Sequence, residues 1–385
     1  MTNRETPEGY VALDATTVCG FAEPYLPGGV TGSEEIGDGN VNLVFRVRGA
    51  SRSVIVKQAL PWLRCVGRAW PLTLDRARIE AAALKLQDSL VPGSVPALLD
   101  FDPVRRAMVL EDLRGHVVLR RGMLKQERYP TAFGSLGAFA ARTLLGTSFL
   151  VCPASERREL ALGFHNPELC AITEELVFTA PFTSAPSNSV RPSLEPAAAR
   201  LREDRAVARA AAALRHAFRT RAEAIVHGDL HTGSVMVTPT DTRVIDPEFA
   251  FPGPMAFDPG KLLGNLALSY LSHEAQGHGA YALWVASQAE VFWEAFADAF
   301  RRAWPRREPG REGFLLGLLQ ASAGYAGACM CRRVVGLAGV ADLRELEEGP
   351  RLRAEEKALV GGAALLTARP VGSRTDLWEL AVGTG

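Results

Sequence analysis

Residues 226–249 read VHGDLHTGSVMVTPTDTRVIDPEF. Two short apolar runs, VMV (235–237) and RVI (243–245), flank TPTDT, a cluster of turn-forming residues, and together predict an antiparallel hairpin. Aspartates bracket it: Asp229 lies a short loop ahead of the first strand and Asp246 directly follows the second. A hairpin returns its two outer ends to the same side, so both carboxylates face one site. Two acids held there can divide the labour, one ligating a metal and the other aligning a hydroxyl. Alone, Asp229 reads as a capping aspartate in a turn; HGD and IDPE together favour the chemical reading.

Upstream, NLVFRVRG (42–49) and RSVIVKQAL (52–60) alternate apolar and polar positions around a short turn, the pattern of a β-hairpin. LDRARIEAAALKLQDSL follows at helical spacing with Asp75 as its candidate cap, and VPALLDFDPVRRAMVLEDL reads as two further strands. Beyond residue 114 the periodicity is helical over 131–150, 155–163, 194–224, 257–304 and 312–340. This predicts an α+β chain: an antiparallel lobe over residues 1–113, its first ~30 residues a leader; a mainly helical lobe over 114–366; and a peripheral tail, 367–385.

Three features of the first lobe suit a phosphate-rich ligand. Gly37, Asp38, Gly39 and Asn40 form a turn between strand-like segments, and glycines let backbone approach phosphate closely, although a plain hairpin turn has the same pattern. Lys57 interrupts the apolar strand VIVKQ, where an ammonium is costly unless paired, and Glu80 on the following helix is the natural partner. An edge-strand lysine facing water is the alternative. VLEDL closes the lobe with Glu111, Asp112 and Leu113.

HGDLHTGS followed by VIDPEF resembles the catalytic and metal-binding segments of the aminoglycoside phosphotransferase-like, protein-kinase-like superfamily. The resemblance implies a bilobal protein-kinase-like fold in which Asp229 positions the attacking hydroxyl. Asp246, within Asp246-Pro247-Glu248, would hold magnesium against the phosphates of ATP, and Lys57 with Glu80 would hold the α and β phosphates. Adenine would meet the backbone of Glu111 and Leu113. The superfamily's metal-binding asparagine is replaced by Ser234, so the candidate metal ligands are Asp246, Ser234 and Glu248, with Glu248 able to serve in place of Ser234. Longer stretches, among them NPELCAITEELVFTAPF, VIDPEFAFPGPMAFDPGKLLGNL and CRRVVGLAGVADL, resemble the methylthioribose kinase family, in order, across most of residues 30–345. That likeness implies ATP-dependent phosphorylation of the anomeric hydroxyl of S-methyl-5-thio-D-ribose in methionine salvage, by a homodimer. It also implies an arginine pair on the sugar, here Arg332 and Arg333. Adjacent residues on a helix diverge by about 100°, and Arg332 is the favoured contact.

Composition sets outer limits. Arg plus Lys and Asp plus Glu both number 43, so a zero formal charge gives no electrostatic case for nucleic acid or an anionic membrane. No run approaches the roughly 18 apolar residues of a membrane helix, and the N-terminus has no secretory pattern. Six dispersed cysteines suggest reduced thiols and a cytoplasmic setting. GPMAFDPGKL fails as a P-loop, because its glycines are misplaced and Leu262 stands where Ser or Thr is needed. His227 and His231 are expected to hold their loop by hydrogen bonds. Two rivals stay open: a kinase of the same fold acting on an aminoglycoside, choline or homoserine, and a nucleotide-binding regulator without turnover.

Overall fold

The computed structural model describes residues 6–36, 41–64, 67–306, 308–368 and 371–383. Five antiparallel strands open the chain: β1 (Val30–Glu35), β2 (Asn42–Gly49), β3 (Ser53–Ala59), β4 (Leu98–Asp102) and β5 (Ala107–Glu111), in the order β1-β2-β3-β5-β4. Period-two alternation sorts their side chains between two faces. Val54, Val56, Ala107 and Val109 pack against Leu13, Val18, Ala22 and Leu26, on and around helix α1 (Thr17–Ala22). Met108 and Leu110 turn the other way, against Ala77, Ala81 and Leu84 of α2 (Arg76–Leu90).

The stretch from Leu13 to Leu26, within the part read as a leader, thus packs into this core. Buried Gln58 holds it: its Oε1 accepts from Leu13 N at 2.7 Å, and its Nε2 donates to Val11 O at 2.9 Å and Arg105 O at 2.8 Å. Satisfying three bonds is what makes an amide tolerable in a core. Asp75 does precede α2, but it has helical dihedrals and makes no cap; its carboxylate pairs with Arg78 and Arg106.

After β6 (Val117–Val118) come α3 (Leu119–Leu124), α4 (Ala132–Gly146), α5 (Ala154–Gly163), α6 (Pro167–Thr173), α7 (Glu195–Glu203) and α8 (Arg205–Thr220). Four short strands then build the floor of the cleft: β7 (Ala224–Val226), β8 (Val235–Val237), β9 (Thr242–Val244) and β10 (Phe251–Gly253). The hairpin read from the sequence is β8–β9, with Val235 opposite Val244, and β6 extends it to three strands. Behind it stand α9 (Phe257–Ala275), α10 (Gly279–Ala303), α11 (Arg311–Val335), α12 (Ala341–Arg344), α13 (Glu348–Thr367) and α14 (Arg374–Val382). The architecture is bilobal, α+β and protein-kinase-like.

Helices α9 and α11 touch through small residues. A Cβ on Gly264 would lie 2.8 Å from the Ala326 carbonyl oxygen, so only glycine permits this approach. At 25 residues and mean hydropathy 1.4, α11 is long and apolar enough to cross a membrane, a run the composition had not suggested; its apolar window is 67% buried by neighbouring elements. Residues 373–383, expected to be peripheral, are packed instead. Ser373 and Asp376 form a capping box, and α14 buries Leu377, Ala381 and Val382.

Candidate active site

Asp246 follows the hairpin and Asp229 lies on the loop before it, and hydrogen bonds through His227 tie the two segments together. Asp246 follows β9 in the left-handed region, at φ 63° and ψ 46°, a conformation that costs a non-glycine residue roughly 1–2 kcal/mol and that aspartate tolerates better than most. Its Oδ1 lies 2.6 Å from Lys57 Nζ, which also donates to Glu80 Oε1 at 2.7 Å. Lys57 and Glu80 are buried, whereas the Asp246 side chain is 48% exposed and opens on the cleft. Burial works against the Lys57 charge, but the carboxylates of Asp246, Glu80 and Glu248 outweigh it and push its pKa up.

Asp229 sits on the loop between β7 and β8, a loop tied to Asp246 through one imidazole. His227 Nδ1 accepts from the Asp229 amide at 3.2 Å, and its Nε2 lies 3.0 Å from the Ile245 carbonyl. An amide can only donate and a carbonyl can only accept, so His227 is neutral with its proton on Nε2. Burial lowers its pKa in keeping. His231 is fixed in the same way: Nδ1 accepts from Gly233 N at 3.0 Å, and Nε2 faces Asp229 Oδ2 at 3.4 Å. Burial brings the His231 pKa to about 4.

The other expected residues divide. Pro247 is buried and opens the turn after Asp246. Glu248 is also buried; its Oε2 accepts from Asn42 Nδ2 at 3.0 Å and lies 3.3 Å from Arg76 Nε, so half of its carboxylate serves the junction between lobes. The Ser234 hydroxyl is spent inside its loop, donating within 2.7 Å of Asp229 O and accepting from His231 N at 3.0 Å, so its geometry does not suit a metal. Asp112 is no cofactor contact through its side chain: the carboxylate is buried on Arg46 and Ser53, where it braces β2 and β3. The Glu111 amide donates to Ala97 O at 2.9 Å, so an adenine contact there falls to its carbonyl, and Leu113 O accepts from His116 N at 3.2 Å. Gly37, Asp38, Gly39 and Asn40 lie outside the described residues.

Arg332 and Arg333 both lie in the last turn of α11. Arg332 Nε and Nη1 are buried with no hydrogen-bond partner among the described residues. Arg333 donates to Ala338 O at 3.1 Å and is the arginine that acts on the Asp229 charge. Its pKa falls to about 9 through burial and through Arg332 beside it.

A sequence profile of the phosphotransferase enzyme family matches residues 33–314. The methylthioribose kinase of Escherichia coli O45:K1 is 38% identical over 92% of this chain and 93% of its own length. Methylthioribose kinase 1 of Oryza sativa subsp. japonica is 36% identical over 94% and 93%. The chain belongs to the methylthioribose kinase family. Among solved structures, a choline/ethanolamine kinase family protein from Mesorhizobium loti aligns over 95% of this chain and 98% of its own, at TM-score 0.47 and 17% identity.

Four residues that shape this methylthioribose kinase-family site went unread in the sequence. Asp258 accepts from the His227 and Gly228 amides at 2.6 and 3.0 Å. Lys261, read only as part of a failed P-loop, donates to the Asp229 carboxylate and to Gly228 O. Asn166 donates to Glu248 O at 3.0 Å and Ala250 O at 3.2 Å, holding the segment after Asp246. Arg120 lies 3.0 Å from Asp342 Oδ2 and donates to Asn265 Oδ1 at 2.6 Å. The one available signal was charge or amide in apolar helix, as in FDPGKLLGNL.

Proposed function

We propose that this chain transfers the γ-phosphoryl group of ATP to the anomeric 1-hydroxyl of S-methyl-5-thio-D-ribose, giving the 1-phosphate and ADP in methionine salvage. Residues up to 113 hold the nucleotide and residues 114–366 hold the acceptor. The observation that carries the reading is the 2.6 Å contact of Lys57 with Asp246, which brings the first lobe's buried cation onto the second lobe's hairpin. Family membership supports the acceptor.

The sugar oxygen attacks the γ-phosphorus in line, the bond to the β–γ bridging oxygen breaks, and the hydroxyl proton passes late to Asp229, since the transition state is loose. Asp229 suits this task because it is ionised: burial opposes its charge, but Lys261, then His231, hold the carboxyl well below the usual carboxylate range. Asp246 has an exposed carboxylate of the hard-oxygen type magnesium prefers, and Glu248 Oε1 is the second oxygen at hand. Few protein ligands are needed when phosphates and water complete the shell. Bound magnesium would neutralise the phosphate oxygens. Lys57 steadies the triphosphate, and the unpaired guanidinium atoms of Arg332 suit a sugar hydroxyl. Two arginines at the acceptor side disfavour a polycationic antibiotic. By resemblance, the chain works as a cytoplasmic homodimer.

A coupled ADP-release assay with magnesium tests this. Turnover is expected with methylthioribose and not with aminoglycosides, choline or homoserine. Asp229→Asn is expected to bind ATP normally and lose about 10²- to 10⁴-fold in kcat. Turnover on an aminoglycoside alone would reassign the acceptor, and nucleotide binding without any turnover would favour a regulator.

A further inference from the structure

Helix α9 grips the catalytic loop with two opposite charges one turn apart. Asp258 takes the amides of His227 and Gly228. Lys261 sends its ammonium to the Gly228 carbonyl at 3.0 Å and to Oδ1 of Asp229, and lies 5.3 Å from the Phe257 ring centroid. The Lys261 side chain is 4% exposed, and Asp229 is the carboxylate with which it forms an ion pair. A lysine so enclosed costs several kcal/mol of desolvation unless paired, and here the partner is the residue assigned to the acceptor hydroxyl. The close α9–α11 contact leaves the helix little freedom to move.

We infer that Lys261 is a positioning residue for phosphoryl transfer: it occupies Oδ1 of Asp229, so Oδ2 is the oxygen that receives the acceptor's proton. Oδ2 has no cation on it: it faces the neutral imidazole of His231 through Nε2 at a long 3.4 Å, and is the more weakly held of the two oxygens. The same ammonium weakens Asp229 as a base, so the proton moves only after the phosphoryl group has left the bridging oxygen. The inference rests on the assignment of Asp229 above.

Besides Lys261, Asp229 is faced by His227 and His231 from its own loop and by Arg333 and Cys329 from α11. Burial lowers the pKa of both histidines, that of His231 to about 4, and burial lowers that of Arg333 to about 9.

The experiment compares the pH dependence of kcat, at saturating ATP and methylthioribose, in wild type, Lys261→Met and Lys261→Arg. Nucleotide affinity measured by calorimetry reports folding. Lys261→Met is expected to lose about 10- to 100-fold in kcat with KM for ATP unchanged. Its acid limb should move up by about one pH unit or more, because the carboxylate loses its neighbouring cation. Lys261→Arg should keep the acid limb in place, since the charge remains. Should Lys261→Met bind no nucleotide, Lys261→Gln, which still donates hydrogen bonds, is read on the same profile. A neutral variant that binds nucleotide and keeps the wild-type acid limb overturns the inference. Wild-type turnover by Asp229→Asn would instead remove the assignment of Asp229 itself.

Discussion

Gly228 joins Asp229 to β7 with φ at +80°, and a Cβ there would collide with the Phe249 carbonyl oxygen. The close approach is what draws the catalytic loop onto the turn that follows Asp246. Gly228→Ala should therefore cost about 1–3 kcal/mol from the left-handed backbone, before the collision is relieved. A urea titration read against wild type checks it, and activity should fall further than stability because Asp229 is the next residue. Asp246 carries the opposite compromise, a strained backbone kept for its carboxylate. Neither choice could be read from composition, but HGD and IDP mark both positions in the chain. Lys261 is different in kind. Its partner lies 32 residues earlier in sequence, and nothing local to DPGKLL reports which group the ammonium will meet.

Elements differ in how openly the chain announces them. β2, β3 and α2 follow their apolar periodicity, because each has one face on a core and the other toward solvent or a second layer. α13 does not. Its sequence, EGPRLRAEEKALVGGAALLT, is rich in helix formers but carries a proline in the first turn and adjacent glycines at 361 and 362, each glycine costing about 1 kcal/mol against alanine. What offsets the glycines is packing: Gly362 lies so close to Gly327 of α11 that a Cβ would be 3.0 Å from the Gly327 carbonyl oxygen. α14 is similarly decided by its docking. Leu377 on this helix is buried, so Leu377→Ala should destabilise by about 2–5 kcal/mol. A loss under about 0.5 kcal/mol in denaturant unfolding would return the segment to the periphery.

Across the whole molecule, neutral histidines held in the fold set the response to acid. His231 and His273 both have pKa values near 4, in each case chiefly through burial. Unfolded histidine titrates near 6.5, so between about pH 6.5 and 4 the unfolded chain binds more protons and stability rises with pH. Through these two groups the melting temperature should fall as pH drops through that window, while Glu80, whose carboxyl burial pushes up to about 7, acts in the opposite direction. His231→Gln should flatten the slope; an unchanged slope would place His231 in contact with water. Asp229 adds little to this window, since its depressed carboxyl gives up its contribution as pH falls from the ordinary carboxylate range down through its own lower folded value. The sequence by itself determined the acidic pair, the hairpin that presents it, the lysine of β3 and its glutamate, because each rests on local periodicity, turn chemistry or the rarity of charge in apolar strand. Only the tertiary structure decided which oxygen of Asp229 Lys261 holds, that Asp112 and Ser234 are spent on their own surroundings, and that α9 clamps the loop. Those outcomes depend on distances between segments far apart in the chain, set by how closely helices and strands can pack.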